Sequence, residues 1–179
     1  MKERTLIIVK PDGMKRKLVG EIISRYEKAG LKIVSMKMVE VKRNFAEKHY
    51  PKSKQQILGM GHKTLNAAGE EEAKRIFGTI DPWKIGLILR EWMAKFLISC
   101  PVIAFILEGE DAVQLVRKVT GFTDPSRAEK GTIRGDLGID SIIKANREKR
   151  ATENLVHASG SVKEAEKEIK LWFKKNEIY

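Results

Sequence analysis

The chain has 179 residues, 42% of them hydrophobic and 33% charged, a balance that suits a single soluble globular domain able to bury a sizeable core. No apolar run reaches the length that crosses a bilayer, and the lone cysteine, Cys100, excludes an intrachain disulfide and a multi-cysteine metal site, so a reduced, cytoplasmic setting is expected. The formal charge of +11 leaves three readings open: a nucleic-acid surface, a field that concentrates smaller polyanions, or lysines that solvate helix faces.

Thr5–Val9 is a β-branched apolar run and predicts a buried strand. It ends at Lys10-Pro11-Asp12-Gly13, where proline and the Asp-Gly pair predict a turn. A lysine at the end of a core strand must bring its charge to water, a carboxylate or a ligand. Residues 17–30 predict a helix with Leu18, Val19, Ile22, Ile23, Tyr26 and Ala29 on one face and Gly30 as its stop. Residues 31–41 predict a strand, and the slip in alternation at Ile33–Val34 predicts a bulge. Asn44 is the expected N-cap of a helix that carries Phe45, His49 and Tyr50 as far as Pro51. Across 52–86, Gly59-Met60-Gly61 and Asp81-Pro82-Trp83 predict turns, with a short helix between Ala67 and Phe77. Ile85–Leu97 is helical again and leads into the apolar strand Pro101–Leu107. This alternation predicts an α+β fold, a ferredoxin-like β-α-β-β-α-β sandwich with an antiparallel sheet and added helices.

Asp111–Lys118 predicts a helix, and Thr120–Arg134 then shows no clear period. A loop of that length in a compact domain is often functional. Arg117 precedes it, Thr123 lies within it and Arg134 ends it, and two guanidiniums with a hydroxyl suit a polyphosphate. The competing reading makes Arg117 a surface residue and pairs Arg134 with Asp136. Residues 141–153 are polar and basic, and predict a helical surface extension. Next, Asn154-Leu155-Val156 runs into His157, a turn of small residues follows, and Ser161 with Glu164 forms the signature of a capped helix. Val162, Ala165, Ile169, Trp172 and Phe173 share one face of that helix. His157 therefore sits at a strand-to-helix junction, where free N–H groups favour negative ligands. No Walker A loop, kinase glycine-rich loop or H-R-D motif is present. A neutral imidazole can carry a phosphoryl group itself, provided an acceptor holds its second nitrogen, and Glu168 is the candidate acceptor.

The stretch N-L-V-H-A-S-G-S-x-x-E-A-E-K-E-I-x-L-W-F resembles the signature of the nucleoside diphosphate kinase family. V-K-P-D-G, H-Y, R-x-x-x-G-x-T-x-P and G-T-I-R-G-D resemble the same family in order and spacing, over about residues 3–50 and 90–173. The resemblance implies a ping-pong exchange between nucleoside tri- and diphosphates, with His157 as nucleophile and pros-phosphohistidine. It implies that Lys10 contacts phosphate and sugar, that Arg117, Thr123 and Arg134 bind phosphates, and that Asn154 meets a sugar hydroxyl. Tyr50 is implied as a base platform, and Glu168 as the residue that orients His157. Mg²⁺ is implied as cofactor, held mainly by nucleotide phosphates and water, and a homo-oligomer (hexamer or tetramer) is implied.

Three departures stand out against that family pattern. Leu89 falls where an aromatic usually clamps the base; Trp92 and Trp83 are candidate substitutes between which the sequence does not decide. Gly160 stands where many relatives have aspartate. Segments 52–86 and 141–153 are extensions of what reads as one domain over 1–179. A nucleic-acid-binding ferredoxin-like module would need exposed aromatics on its central strands, yet 5–9 and 101–107 are aliphatic. Nucleic acid is therefore at most a secondary partner. An inactive, regulatory relative is disfavoured because every expected catalytic residue type is present.

Overall fold

The computed structural model describes residues 2–179. In chain order it contains β1 (Lys2–Val9), α1 (Pro11–Lys15), α2 (Val19–Lys28), β2 (Lys32–Val39), α3 (Arg43–His49), α4 (Lys54–Ala68), α5 (Glu70–Phe77) and α6 (Pro82–Leu97). There follow β3 (Val102–Glu110), α7 (Ala112–Thr120), α8 (Ile133–Leu137), α9 (Ile142–Arg147), β4 (Val156–Ala158) and α10 (Val162–Trp172). The sheet runs β2-β3-β1-β4 with every neighbouring pair antiparallel, the ferredoxin-like arrangement expected from the sequence.

Successive side chains on a strand point to opposite faces, so β1 feeds two cores. Leu6 and Ile8 join Ala46, Ala94, Leu97, Ile169 and Trp172 from α3, α6 and α10. Ile7 and Val9 join Ile22, Tyr26 and Val116 from α2 and α7. Covered on both faces, β1 is apolar at consecutive positions because it has no solvent side. Its Cα partners are Ile103–Glu110 of β3 on one edge and Val156–Ala158 on the other. That places Lys10, just past the end of β1, beside the chain entering β4. The bulge expected in β2 is present as a register shift between Ile33 and Ser35.

Four local expectations are corrected. Lys10-Pro11-Asp12-Gly13 opens α1 rather than a turn, because proline suits the first helical position and Asp12 complements the helix dipole there. The chain bends only afterwards, at Lys17 with φ 57°. The N-cap of α3 is Lys42, not Asn44. The Gly59–Gly61 segment lies inside the 15-residue helix α4. A methyl group at Gly61 would come 1.9 Å from the Pro82 carbonyl oxygen, and one at Gly86 would come 2.1 Å from that of Ile57. These glycines let the α4 and α6 backbones touch instead of forming a turn. Asp81-Pro82 starts α6, the Asp81 side chain accepting from the Trp83 amide at 2.9 Å.

The two extensions meet. Helix α4 packs on α9, and Arg147 of α9 donates to Glu72 of α5 at 2.6 Å.

Candidate active site

Lys10, Tyr50, Arg117, Thr123, Arg134, Asn154 and His157, separated by up to 147 positions in the chain, line one cavity of about 480 Å³. It opens where β1 and β4 end, between α4 and the loop after α7.

His157 is the second residue of β4, opposite Ile8. Its Nε2 lies 2.9 Å from Oε1 and 3.0 Å from Oε2 of Glu168, which projects from α10. A carboxylate only accepts, so Nε2 carries the proton and the Nδ1 lone pair has no protein partner among the described residues. Ser159 Oγ donates to Glu168 Oε2 at 2.5 Å. Burial pushes the Glu168 carboxyl up, but His157, and more weakly His49 and Ser159, outweigh it and hold the group below the usual carboxylate range.

Behind this pair stands His49, which the sequence reading passed over in favour of its neighbour in H-Y. Its ring packs edge-on against His157, with centroids 4.5 Å apart. Trp172 Nε1 donates to its Nδ1 at 3.3 Å. Burial, with the His157 charge second, lowers its pKa to about 3, so it is neutral at working pH. His49, His157 and Glu168 bring donor atoms within 4.8 Å of one another. Two imidazoles and a carboxylate suit zinc better than a hard cation, and the carboxylate is already engaged by His157 and Ser159. Asp124 is the cavity's only carboxylate among the described residues, and its Oδ1 accepts from the Ser126 amide and hydroxyl. The lining therefore fits a hard divalent ion that arrives with phosphate oxygens, not one bound by the protein alone.

Lys10 is buried. Its Nζ donates to Asn154 Oδ1 at 2.6 Å and lies 5.2 Å from the Phe96 ring centroid. Asn154 in turn donates to the Thr123 carbonyl at 2.8 Å, so its amide is occupied at both ends and braces the loop against β1. Between Asn154 and Val156, Leu155 takes a left-handed backbone with φ 68°, strained for a residue with a bulky side chain. Asp12 Oδ2 accepts its amide at 2.8 Å, and the Lys10 amide donates to its carbonyl at 2.8 Å. Asp12 is a second residue missed in the sequence, where its role was assigned to a turn.

The two arginines differ. Arg134 is buried, and it donates to the carbonyls of Asn154, Gly121 and Val156 at 3.0, 3.1 and 2.8 Å; it does not pair with Asp136, which binds Arg25 instead. Burial brings Arg134 down to about 10. Arg117 is exposed and has no hydrogen-bond partner among the described residues, so its donors are free for a ligand. It approaches Gly160, where a side chain would lie 3.7 Å from its Nη1 and 2.7 Å from the Glu164 carboxylate. Glu164 accepts the Gly160 amide at 2.9 Å, so a carboxylate is supplied there although residue 160 is glycine.

Tyr50 packs against His49 at 4.6 Å between ring centroids, at the His157 end of the cavity. Leu89, Trp83 and Trp92 do not line it. Trp92 is stacked on Phe77 of α5 at 5.6 Å, so the candidate tryptophan substitutes are not at the site. Besides Tyr50, Phe122 also lines the cavity.

Fold and site together define a ferredoxin-like α+β domain whose cationic cavity closes on an acceptor-held histidine. The sequence profile described as nucleoside diphosphate kinase matches residues 3–59 and 90–178. The nucleoside diphosphate kinase of Pyrobaculum aerophilum is 47% identical over 178 residues, covering 98% of this chain and 97% of that one. That of Pyrococcus furiosus is 42% identical, covering 99% and 86%. A crystal structure of an NDP kinase from Pyrobaculum aerophilum superposes with a TM-score of 0.94 at 45% identity over 99% of each chain. A transition-state mimic of the Borrelia burgdorferi nucleoside-diphosphate kinase with vanadate and ADP gives 0.78 at 34% identity, over 99% and 90%. The chain belongs to the nucleoside diphosphate kinase family.

Proposed function

We propose that this chain moves the γ-phosphoryl group of a nucleoside triphosphate to a nucleoside diphosphate through phosphorylated His157. The observation that carries the reading is the Glu168 bond to Nε2, which leaves Nδ1 as the nucleophile. In the first half-reaction the Nδ1 lone pair attacks the γ-phosphorus in line. The bond to the β–γ bridging oxygen breaks, and the diphosphate leaves with that electron pair. The proton remains on Nε2, and Glu168 offsets the positive charge the ring gains. In the second half-reaction a β-phosphate oxygen of another diphosphate attacks the same phosphorus, and the P–N electrons return to Nδ1.

Arg117 and Thr123 offer unoccupied donors to the phosphate oxygens. Lys10 and Arg134 add fixed positive charge and keep the loop and β4 in place. Asn154 can reach a ribose hydroxyl by exchanging one of its present partners, and Tyr50 flanks the reacting end. A divalent ion, Mg²⁺ by its hard-oxygen preference, neutralises the nucleotide phosphates when bound. Met36 and Met38 leave apolar surface exposed on the edge strand β2, which supports assembly as a homo-oligomer, tetramer or hexamer by family resemblance. The single cysteine supports a reduced, cytoplasmic site of action, and no helix among the described residues is long and apolar enough to cross a membrane.

The test is incubation with γ-labelled ATP and Mg²⁺. The wild type is expected to take up an acid-labile label that a nucleoside diphosphate removes, and His157→Ala to take up none. No label on the wild type, or normal labelling and transfer by His157→Ala, overturns the mechanism.

A further inference from the structure

A nucleotide that reacts at His157 must place its base one ribose and two phosphates away, toward the mouth of the cavity. The aromatic expected to receive it is missing, since residue 89 is leucine and lies off the cavity. Trp92 is held by Phe77. Tyr50 belongs to the reacting end, joined to His157 through the intervening His49 ring.

One aromatic on the cavity wall has no structural employment. Phe122, in the loop between α7 and α8, is 52% exposed, belongs to neither hydrophobic core and lines the cavity. The Arg127 guanidinium, also on the wall, lies over its ring at 5.1 Å from the centroid. An exposed phenylalanine gains little from folding, whereas a cation over one face and an open cavity beside it make a stacking platform. The loop that carries Phe122 also carries Thr123, and it is fixed by the Asn154–Thr123 and Arg134–Gly121 bonds. The platform is thus tied to the phosphate-binding groups. The two extensions line the same cavity through Asn66 of α4 and Ile142 of α9, so they help to enclose it.

We propose that Phe122 is the residue on which the nucleotide base stacks, in place of the aromatic that position 89 lacks. The inference rests on the nucleotide reading of the same cavity. Stacking needs only a π-face, so it accepts all bases. Asn66, a side chain that both donates and accepts, is suited to meet the polar edge of any of them.

The test compares kcat/KM for phosphoenzyme formation from ATP and from methyl triphosphate, which has the phosphates but no base. Phe122→Ala is expected to lower the value for ATP about tenfold, on the scale of one lost base–aromatic stack. It should leave methyl triphosphate unchanged, and Phe122→Trp should retain the ATP value. If Phe122→Ala leaves ATP unaffected, or weakens both donors equally, the proposal is overturned. Loss of the oligomer on gel filtration together with weakening of both donors would make Phe122 a subunit contact, and also overturns it. Failure of the wild type to label with either donor would instead remove the nucleotide reading itself.

Discussion

At the His157 end of the cavity most polar groups are held by another part of the protein, whereas at the α4–α9 end few are. Lys10, Asn154, Arg134 and Glu168 are buried and cross-braced between β1, β4, α10 and the loop before α8. Asn66 of α4 and Phe122 of the loop after α7 line the same cavity but are exposed, and helices α5 and α9 are tied by the exposed Glu72–Arg147 pair. The difference follows from what each end must do. Charge developing at phosphorus is stabilised best by groups that need not reorganise. A base recognised by its face needs only a platform, and tolerates movement at its edge.

The sharpest way to break this comparison uses the two arginines, which read alike in sequence. Arg117 has free donors, so Arg117→Ala is expected to lower kcat on the order of 100-fold, the scale of one lost transition-state donor, with no change in thermal midpoint. Arg134→Ala should also lose activity, but it leaves three backbone carbonyls without their partner. That should cost about 3 kcal/mol of stability or more. Calorimetry beside steady-state kinetics separates the two; equal melting temperatures for both variants would refute the division of labour.

That division also marks how far the sequence was legible. Strand–helix order and the bulge in β2 were readable from local period, and the seven cavity residues from motifs whose order and spacing resemble a known family. Helix α4 was not, because Gly59 and Gly61 together signal a turn locally, while Gly61 serves a close approach to α6 that exists only in three dimensions. Asp12 was hidden in the same way, since its carboxylate serves Leu155, far along the chain. Phe122 was hidden because its loop has no period to set its direction. The base wall is therefore legible only once α4, α9 and the loop are seen together.

A second, smaller effect tests whether the reacting end depends on burial. Burial draws the Lys10 ammonium from its ordinary 10.5 down to about 8; Asp12 partly offsets this and Arg134 adds to it. Above about pH 8 the free protein thus loses a positive charge at the phosphate site. Nucleotide kcat/KM should fall there by about tenfold, the scale of one weakened charge-assisted contact. Lys10→Met should start lower and lack that part of the alkaline limb. Stability should move oppositely. Below about pH 8 both folded and unfolded chains hold the proton. Between about 8 and 10.5 the unfolded chain holds more, so stability against urea rises relative to Lys10→Met. An alkaline limb that survives unchanged in Lys10→Met would assign it to another group.

The smallest effect is expected where the two extensions meet. Glu72 accepts from Arg147 at 2.6 Å and is also paired with Arg75, but both arginines are well exposed, and such pairs contribute little and are screened by salt. Glu72→Gln should therefore raise KM for ATP by less than about threefold at low ionic strength, and the difference should vanish near 0.5 M salt, where screening is stronger. Methyl triphosphate, having nothing for the extensions to enclose, should not register the change at all. A loss as large as that of Arg117→Ala, or one shared by both donors, would mean that the extensions set the position of the phosphate groups too. In that case the cavity would be one mechanical unit, and the rigid and tolerant ends would not be separable.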